Sequence, residues 1–421
     1  MQKKYTGRIL KYAAAALAAI GMVSAAGCSA GEKQSSAEAI KLSVWCTGGD
    51  VEMVQGMVDE FKQLHSDEAS FEITISAEKE DTCKQTVLTN PQAAADIYTF
   101  AADQFLELYN AGALLEITEN TDAVIDANGG DDSGAIRAAS ADGRLYAYPL
   151  TSGNGYFLYY NSEYYTKEDI ESMDRILEIA AENGKKVAMD FTSGWYIYSF
   201  FKGAGLNVGM NSDGISNYCD WNSTVGKYSG VDVAEAMLAI ARNEGFISCK
   251  DEELVKGAQD GTIIAAVNGT WNDKYFRQAY GDGYAAAKLP EFTIAGNSEQ
   301  MCSFAGYKLI GVNAYSDSPQ WSMRLADWLT NEENQMKRFR INGECPSNVN
   351  AAASPEVKAS PAISAQSEQA VYGTIQNVAD QFWSPSYLFG TTIAAKNVDE
   401  VELQALLDTM VEGITAPPIE S

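Results

Sequence analysis

The chain has 421 residues, 46% hydrophobic and 21% charged, the composition of a globular protein long enough for two lobes with cores of their own. It carries 30 basic and 57 acidic residues, a formal net charge of −27, so its surface repels nucleic acid and anionic membrane and no nucleic-acid partner is expected. The single histidine, His65, and the lack of any CxxC pair argue against a Cys/His zinc site and a catalytic histidine; no metal and no cofactor are expected.

Residues 1–11 are basic and residues 12–26 apolar and alanine-rich, too short to span a bilayer comfortably, so the segment reads as a targeting signal. It ends Ala25-Ala26-Gly27-Cys28, and small residues directly before a cysteine resemble the lipobox of bacterial lipoproteins. That resemblance implies removal of residues 1–27 and lipidation of Cys28, hence a membrane partner through a lipid anchor; the alternative is a plain secretory signal. Without residues 1–27 the balance is 26 basic to 57 acidic residues, or −31. Residues 28–39 are small and polar, as a flexible tether should be. Six further cysteines, Cys46, Cys83, Cys219, Cys249, Cys302 and Cys345, permit disulfides outside the cytoplasm.

From residue 40 the pattern alternates strands and helices. Residues 40–46 read as a strand, and Thr47-Gly48-Gly49-Asp50 as a tight turn that lets a ligand approach. Residues 51–65 place Val54, Met57, Val58, Phe61 and Leu64 on one helical face. A strand at 71–76, a helix at 79–88 and a strand at 96–100 complete a βαβαβ order, which predicts a parallel sheet with right-handed crossovers. Asp103 follows the third strand and precedes a helix carrying Phe105, Leu108 and Tyr109, stopped at Gly112. It either caps that helix or faces a ligand beyond the strand's carboxyl end. Residues 119–143, rich in Gly, Asp and Ala, read as loop; the stretch from Asp126 lacks the glycine and glutamate of a calcium loop. Strands at 145–150 and 155–160 flank Thr151-Ser152-Gly153-Asn154, a joint suited to an interlobe crossing.

A second α/β unit follows, with a helix at 170–181 and a strand at 186–190. Residues 194–203 hold Trp195, Tyr196, Tyr198, Phe200 and Phe201; consecutive aromatics cannot all face one core, so some are expected exposed for binding. A helix at 232–243 precedes a helix and strand ending at 267. Asn268-Gly269-Thr270-Trp271 then brings an indole out beyond the strand, either onto a ligand or into a core. Residues 304–312 read as a strand, 319–330 as a helix with Trp321, Leu325 and Trp328 inward, and 351–365 as a linker or irregular surface. Phe382-Trp383-Ser384-Pro385 is an aromatic loop, and 401–414 the closing helix.

Four blocks then combine: ADIYTFAADQFLELYNAGALLEIT, LYAYPLTSGNGYFLYYNSEYY, GAQDGTIIAAVNGTW, and FAGYKLIGVNAYSDS with ADWLTNEENQ. In that order they resemble the extracellular solute-binding proteins of ABC importers, of the maltose/maltodextrin type, over most of residues 40–415. The resemblance implies an α/β, two-lobe periplasmic-binding-protein-like fold with a hinge and an interlobe ligand cleft. The first lobe would hold 40–150 plus about 303–350, the second 151–302 plus about 351–421. It implies a monomeric receptor, not an enzyme, that captures a mono- or oligosaccharide at the outer or periplasmic face of a bacterial membrane and delivers it to the transmembrane subunits of an ABC permease. By matching block, the ligand would meet Gly49, Asp50, Phe100, Asp103, Gly153 or Asn154, Trp195, Tyr196, Trp271 and Trp383. Two departures stand out: Gln104 where maltose binders often carry a basic residue, and Gly153 where they often carry an acid. Aromatic rings suit the apolar faces of a pyranose, and Asp and Asn suit its hydroxyl rim. Two rival functions have their own requirements. A secreted glycoside hydrolase needs two facing carboxylates, yet Asp50 and Asp103 belong to one lobe. A non-sugar solute with a carboxylate needs an arginine, and these candidates include none.

Overall fold

A computed structural model describes residues 39–80 and 82–418. The targeting segment, Cys28 and nearly all of the tether lie outside the described residues.

Two five-stranded sheets form the framework. The first runs Phe71–Ala77, Ile40–Cys46, Ile97–Ala101, Tyr307–Val312, Ala147–Ser152. Its first three strands are parallel, and Tyr307–Val312 is antiparallel to both its neighbours. The second runs Phe246–Ile247, Lys186–Ala188, Ile263–Asn268, Phe157–Asn161, Tyr284–Ala287, again with three parallel strands and one reversed between its neighbours. A strand covered on both faces must be apolar throughout rather than alternating. Ile97, Tyr98 and Phe100 accordingly have no exposed surface, and all six residues of Ile263–Asn268 are buried. Asp96 pins the start of the central strand of the first sheet: one carboxylate oxygen accepts from the Ser43 N–H (2.8 Å) and hydroxyl (2.7 Å), the other from the Ser316 hydroxyl (2.6 Å).

Each sheet has its own core. Val54, Met57, Val58 and Phe61 of the Val51–Leu64 helix pack on the first, whereas Leu64, at the helix end, is 61% exposed. The lobes are joined where strands cross. The Ser152 N–H donates to the Cys345 carbonyl (2.9 Å), its hydroxyl to the Pro346 carbonyl (2.8 Å), and the Asn154 N–H to the Gly306 carbonyl (2.9 Å). Gly153 has φ +74°, a conformation open to glycine, and its carbonyl accepts from Gln366.

Several expectations need correction. Residues 119–143 contain two helices, Thr121–Ala127 and Gly134–Ala138; the glycine pair that suggested a loop, Gly129 and Gly130 (φ +94° and +87°), only separates them. Residues 351–365 belong to three short helices, Val349–Ala353, Pro355–Lys358 and Pro361–Gln369. Ser354 and Ser360 cap the last two, and each is followed by a proline in the first turn, where the missing N–H costs nothing. The aromatic helix Gly194–Gly203 is buried nearly all round: Tyr198 stacks on Phe304 (3.7 Å between centroids), Phe201 on Trp221 (4.1 Å), and Trp195 alone among its five large rings is half-buried. Neighbours on every side replace the single apolar face that the sequence argument assumed. The expected 79–88 helix shortens to Cys83–Thr89. All six described cysteines are free thiols, and burial pushes the Cys46 and Cys249 thiols up to about 12.

Candidate ligand-binding site

The carboxyl end of Ile97–Ala101 opens into a cavity of about 480 Å³ walled by both lobes. The first lobe contributes Asp103, Leu106, Arg137 and Tyr307, the second Tyr218, Thr374 and Gln376, and the crossing strands Asn154, Phe304 and Gly306. Asp103 makes no capping bond; the Phe105–Asn110 helix begins after a short 3-10 turn at Ala102–Gln104. Its carboxylate instead accepts from the Gln376 amide at 2.5 Å, reaching across from first lobe to second. The position between the lobes pushes Asp103 up from its ordinary 3.8 to about 6, because burial disfavours the charged form. Of the two sequence readings of Asp103, the geometry therefore removes the cap and leaves the cleft.

Asp103 and Asn154 are the expected residues that share this cavity. Trp271 lies half-buried past the end of Ile263–Asn268, outside the clustered cores of either lobe. Its indole N–H donates to Asp251 (3.1 Å), whose other oxygen accepts from the Asn268 amide (2.8 Å), and Asn268 in turn accepts from the Gly269 N–H (2.9 Å). The ring lies directly over Gly269, where any Cβ would collide with it. Trp195 is half-buried 5.4 Å from Phe304, and its carbonyl accepts from the Tyr156 hydroxyl (2.7 Å). Trp383 stands edge-on to Phe382 at 4.9 Å and starts the Trp383–Ala394 helix. Gly49 is exposed in the turn after the first strand.

Three expected ligand contacts sit elsewhere. Phe100 is fully buried against Tyr98 in the first core, in a strand whose first four residues are all buried. Tyr196 is 7% exposed and packs on Tyr156. Asp50 is 6% exposed, and its oxygens are taken by Arg338 and by the Asn342 amide (2.7 Å). It belongs to a buried charged network in which Glu344 accepts from Arg338 (3.0 Å) and Lys308 (2.7 Å), while Lys308 also pairs with Glu80 (3.1 Å). Three carboxylates face two cations there. Burial pushes Glu80 up, while Lys308 and Arg338 hold Glu344 low against the opposing effect of burial.

A second polar bridge joins the lobes. Lys84, 5% exposed, donates to Glu107 of its own lobe (2.8 Å) and to Asp380 of the other (2.6 Å). Sequence reasoning missed Arg137 because its helix was read as loop, and missed Gln376 because nothing local marks it. Tyr307 stands inside a recognised block, in a stretch that reads as an apolar-rich strand.

Comparison with known proteins gives the same architecture. The chain shares 25% identity over 322 residues, 72% of its length and 73% of the relative's, with a galactooligosaccharide-binding protein of Bacillus subtilis. It shares 24% over 243 residues, 54% and 55% of the two lengths, with a maltooligosaccharide ABC transporter solute-binding lipoprotein of Streptococcus pneumoniae. Among solved structures, a maltotriose-binding protein of Thermus thermophilus superposes with a TM-score of 0.73 at 19% identity, over 89% of this chain and 99% of that one. A maltodextrin-binding protein of L. casei gives 0.71 at 22%, over 90% and 99%. These likenesses establish the two-lobe fold. Residues 56–365 match the bacterial extracellular solute-binding protein family, a family of binders rather than enzymes, and this chain belongs to it.

Proposed function

We propose that this chain is a lipid-anchored receptor that captures an oligosaccharide between its lobes and delivers it to an ABC permease. The observation that carries the reading is the interlobe cavity, where the half-buried carboxylate of Asp103 meets an amide from the opposite lobe beside aromatic walls. Carboxylate, Asn and Gln groups satisfy sugar hydroxyls, and the rings of Tyr218, Phe304 and Tyr307 suit the C–H faces of a pyranose. The names of the relatives support the ligand class, and one of them is called a lipoprotein. Trp271, Trp195 and Trp383 extend the ring-bearing surface along the cleft in this reading. Closure would be a hinge motion about the crossing strands.

Thermal melts with galacto- and malto-oligosaccharides test the reading. A ligand at about 100 times its dissociation constant adds about 2.7 kcal/mol of stability, which raises the melting temperature visibly. No shift with any oligosaccharide at millimolar concentration overturns it.

A further inference from the structure

We infer that the cavity beside Asp103 selects an oligosaccharide carrying a uronic acid, whose carboxylate is gripped by Arg137; this rests on the carbohydrate reading above. The described residues include eight arginines, and six of them are tied to carboxylates. In a chain with 57 acidic residues that is the ordinary fate of an arginine. Arg137 makes no such pair. The side chain is exposed, and one of its terminal nitrogens donates to the Asp132 carbonyl, which leaves the other terminal nitrogen and Nε for a planar acceptor. It is also the one basic residue lining the cavity, as Asp103 is the one acidic residue.

The local structure holds this arginine in the wall. Ser133 caps the Gly134–Ala138 helix by accepting from the Ile136 N–H (3.2 Å), and Arg137 lies in its last turn. The Tyr307 ring lies against Gly134, where a Cβ would strike its hydroxyl, so ring and guanidinium share one wall. A sugar ring lying on Tyr307 can turn its C5 substituent toward Arg137. Asp103, the acid of the same cavity, accepts hydroxyls and repels a carboxylate, so an acid group on the ligand has one favourable partner. The rest of the acidic surface repels anions. Selection for an acidic ligand must therefore come from a contact cation inside the cleft, and Arg137 supplies it.

Calorimetry decides the matter with pairs of galacto- and malto-oligosaccharides that differ only in a terminal C6, hydroxymethyl in one and carboxylate in the other. The acidic member should bind tighter by about tenfold or more, the ratio expected of a charge-assisted contact. R137Q should erase most of that preference with an unchanged melting temperature, and R137K should restore part of it. Equal or tighter binding of the neutral member overturns the inference and leaves the carbohydrate reading standing. So does an acid preference that R137Q does not alter. Failure of every sugar to bind overturns both.

Discussion

Asp103 shows how much a single side chain can carry. As an N-cap it would stabilise a helix by about 1 kcal/mol and leave affinity alone. The structure gives it no capping bond and an interlobe one instead. Asp103→Ala should thus lower sugar affinity by about 1–3 kcal/mol, read by titration calorimetry. The same residue sets a pH dependence. With its carboxyl at about 6 in the folded protein, the ionised acceptor is lost as pH falls through that value, so affinity should drop between pH 7 and 5, and Asp103→Asn should flatten the profile. The stability effect has the opposite sign. A folded value above the ordinary 3.8 means the native state holds more protons between about 3.8 and 6, so stability from this group falls as pH rises through that window. Trp271 gives a second test. Gly269→Ala pushes a methyl group into the indole, and Trp271→Ala removes it. Both should weaken sugar binding, the latter by about 0.5–1.5 kcal/mol of stacking beyond area burial. Intact cooperative unfolding in both variants checks that the lobe survives.

At the scale of elements, regular pattern was legible and exceptions were not. The Ile40–Cys46 strand and the Pro319–Thr330 helix occupy the residues their periodicity predicts. The Gly230–Arg242 helix begins two residues before its predicted start, because Ser229 and Asp232 form a reciprocal capping box, with bonds of 2.7 Å and 3.2 Å. Ser229→Ala should lower the stability of the protein by about 1 kcal/mol in denaturant titration and leave ligand affinity unchanged, since neither Ser229 nor Asp232 lines the cavity. The Gly194–Gly203 helix was misread because periodicity reports one buried face, and a helix enclosed by Phe304, Trp221 and Phe292 has no other. The Ser-Pro steps at 354 and 360 match linker composition, yet each is also a helix start.

For the molecule as a whole, the bridge from Lys84 to Asp380 ties the lobes near the cavity. Lys84 keeps Glu107 as a partner when Asp380 is removed, and the Asp380 side chain is 51% exposed. Asp380→Ala should therefore weaken ligand binding only a few-fold, about 1 kcal/mol or less, and the effect should shrink as salt is added. Small-angle scattering of the ligand-free variant should show a larger radius of gyration. Cys28→Ser should move the protein from the membrane fraction to the soluble one without changing sugar affinity; a variant that stays with the membrane removes the lipid anchor from the proposal.

By itself the sequence determined the two α/β units, the joint at Gly153 and Asn154 between flanking strands, and the placing of Asp103 and Trp271 past strand ends. These are local consequences of apolar periodicity and turn chemistry, and they need no knowledge of what lies opposite. Only the tertiary structure decided which of those groups meet. Phe100 left the list because both faces of its strand are covered, and Asp50 because Arg338, 288 positions away, reaches it first. Gln376 and Arg137 entered because the fold carries them to the wall that Asp103 shares. A cleft between lobes is assembled from long-range contacts, and no window of sequence contains both of its sides.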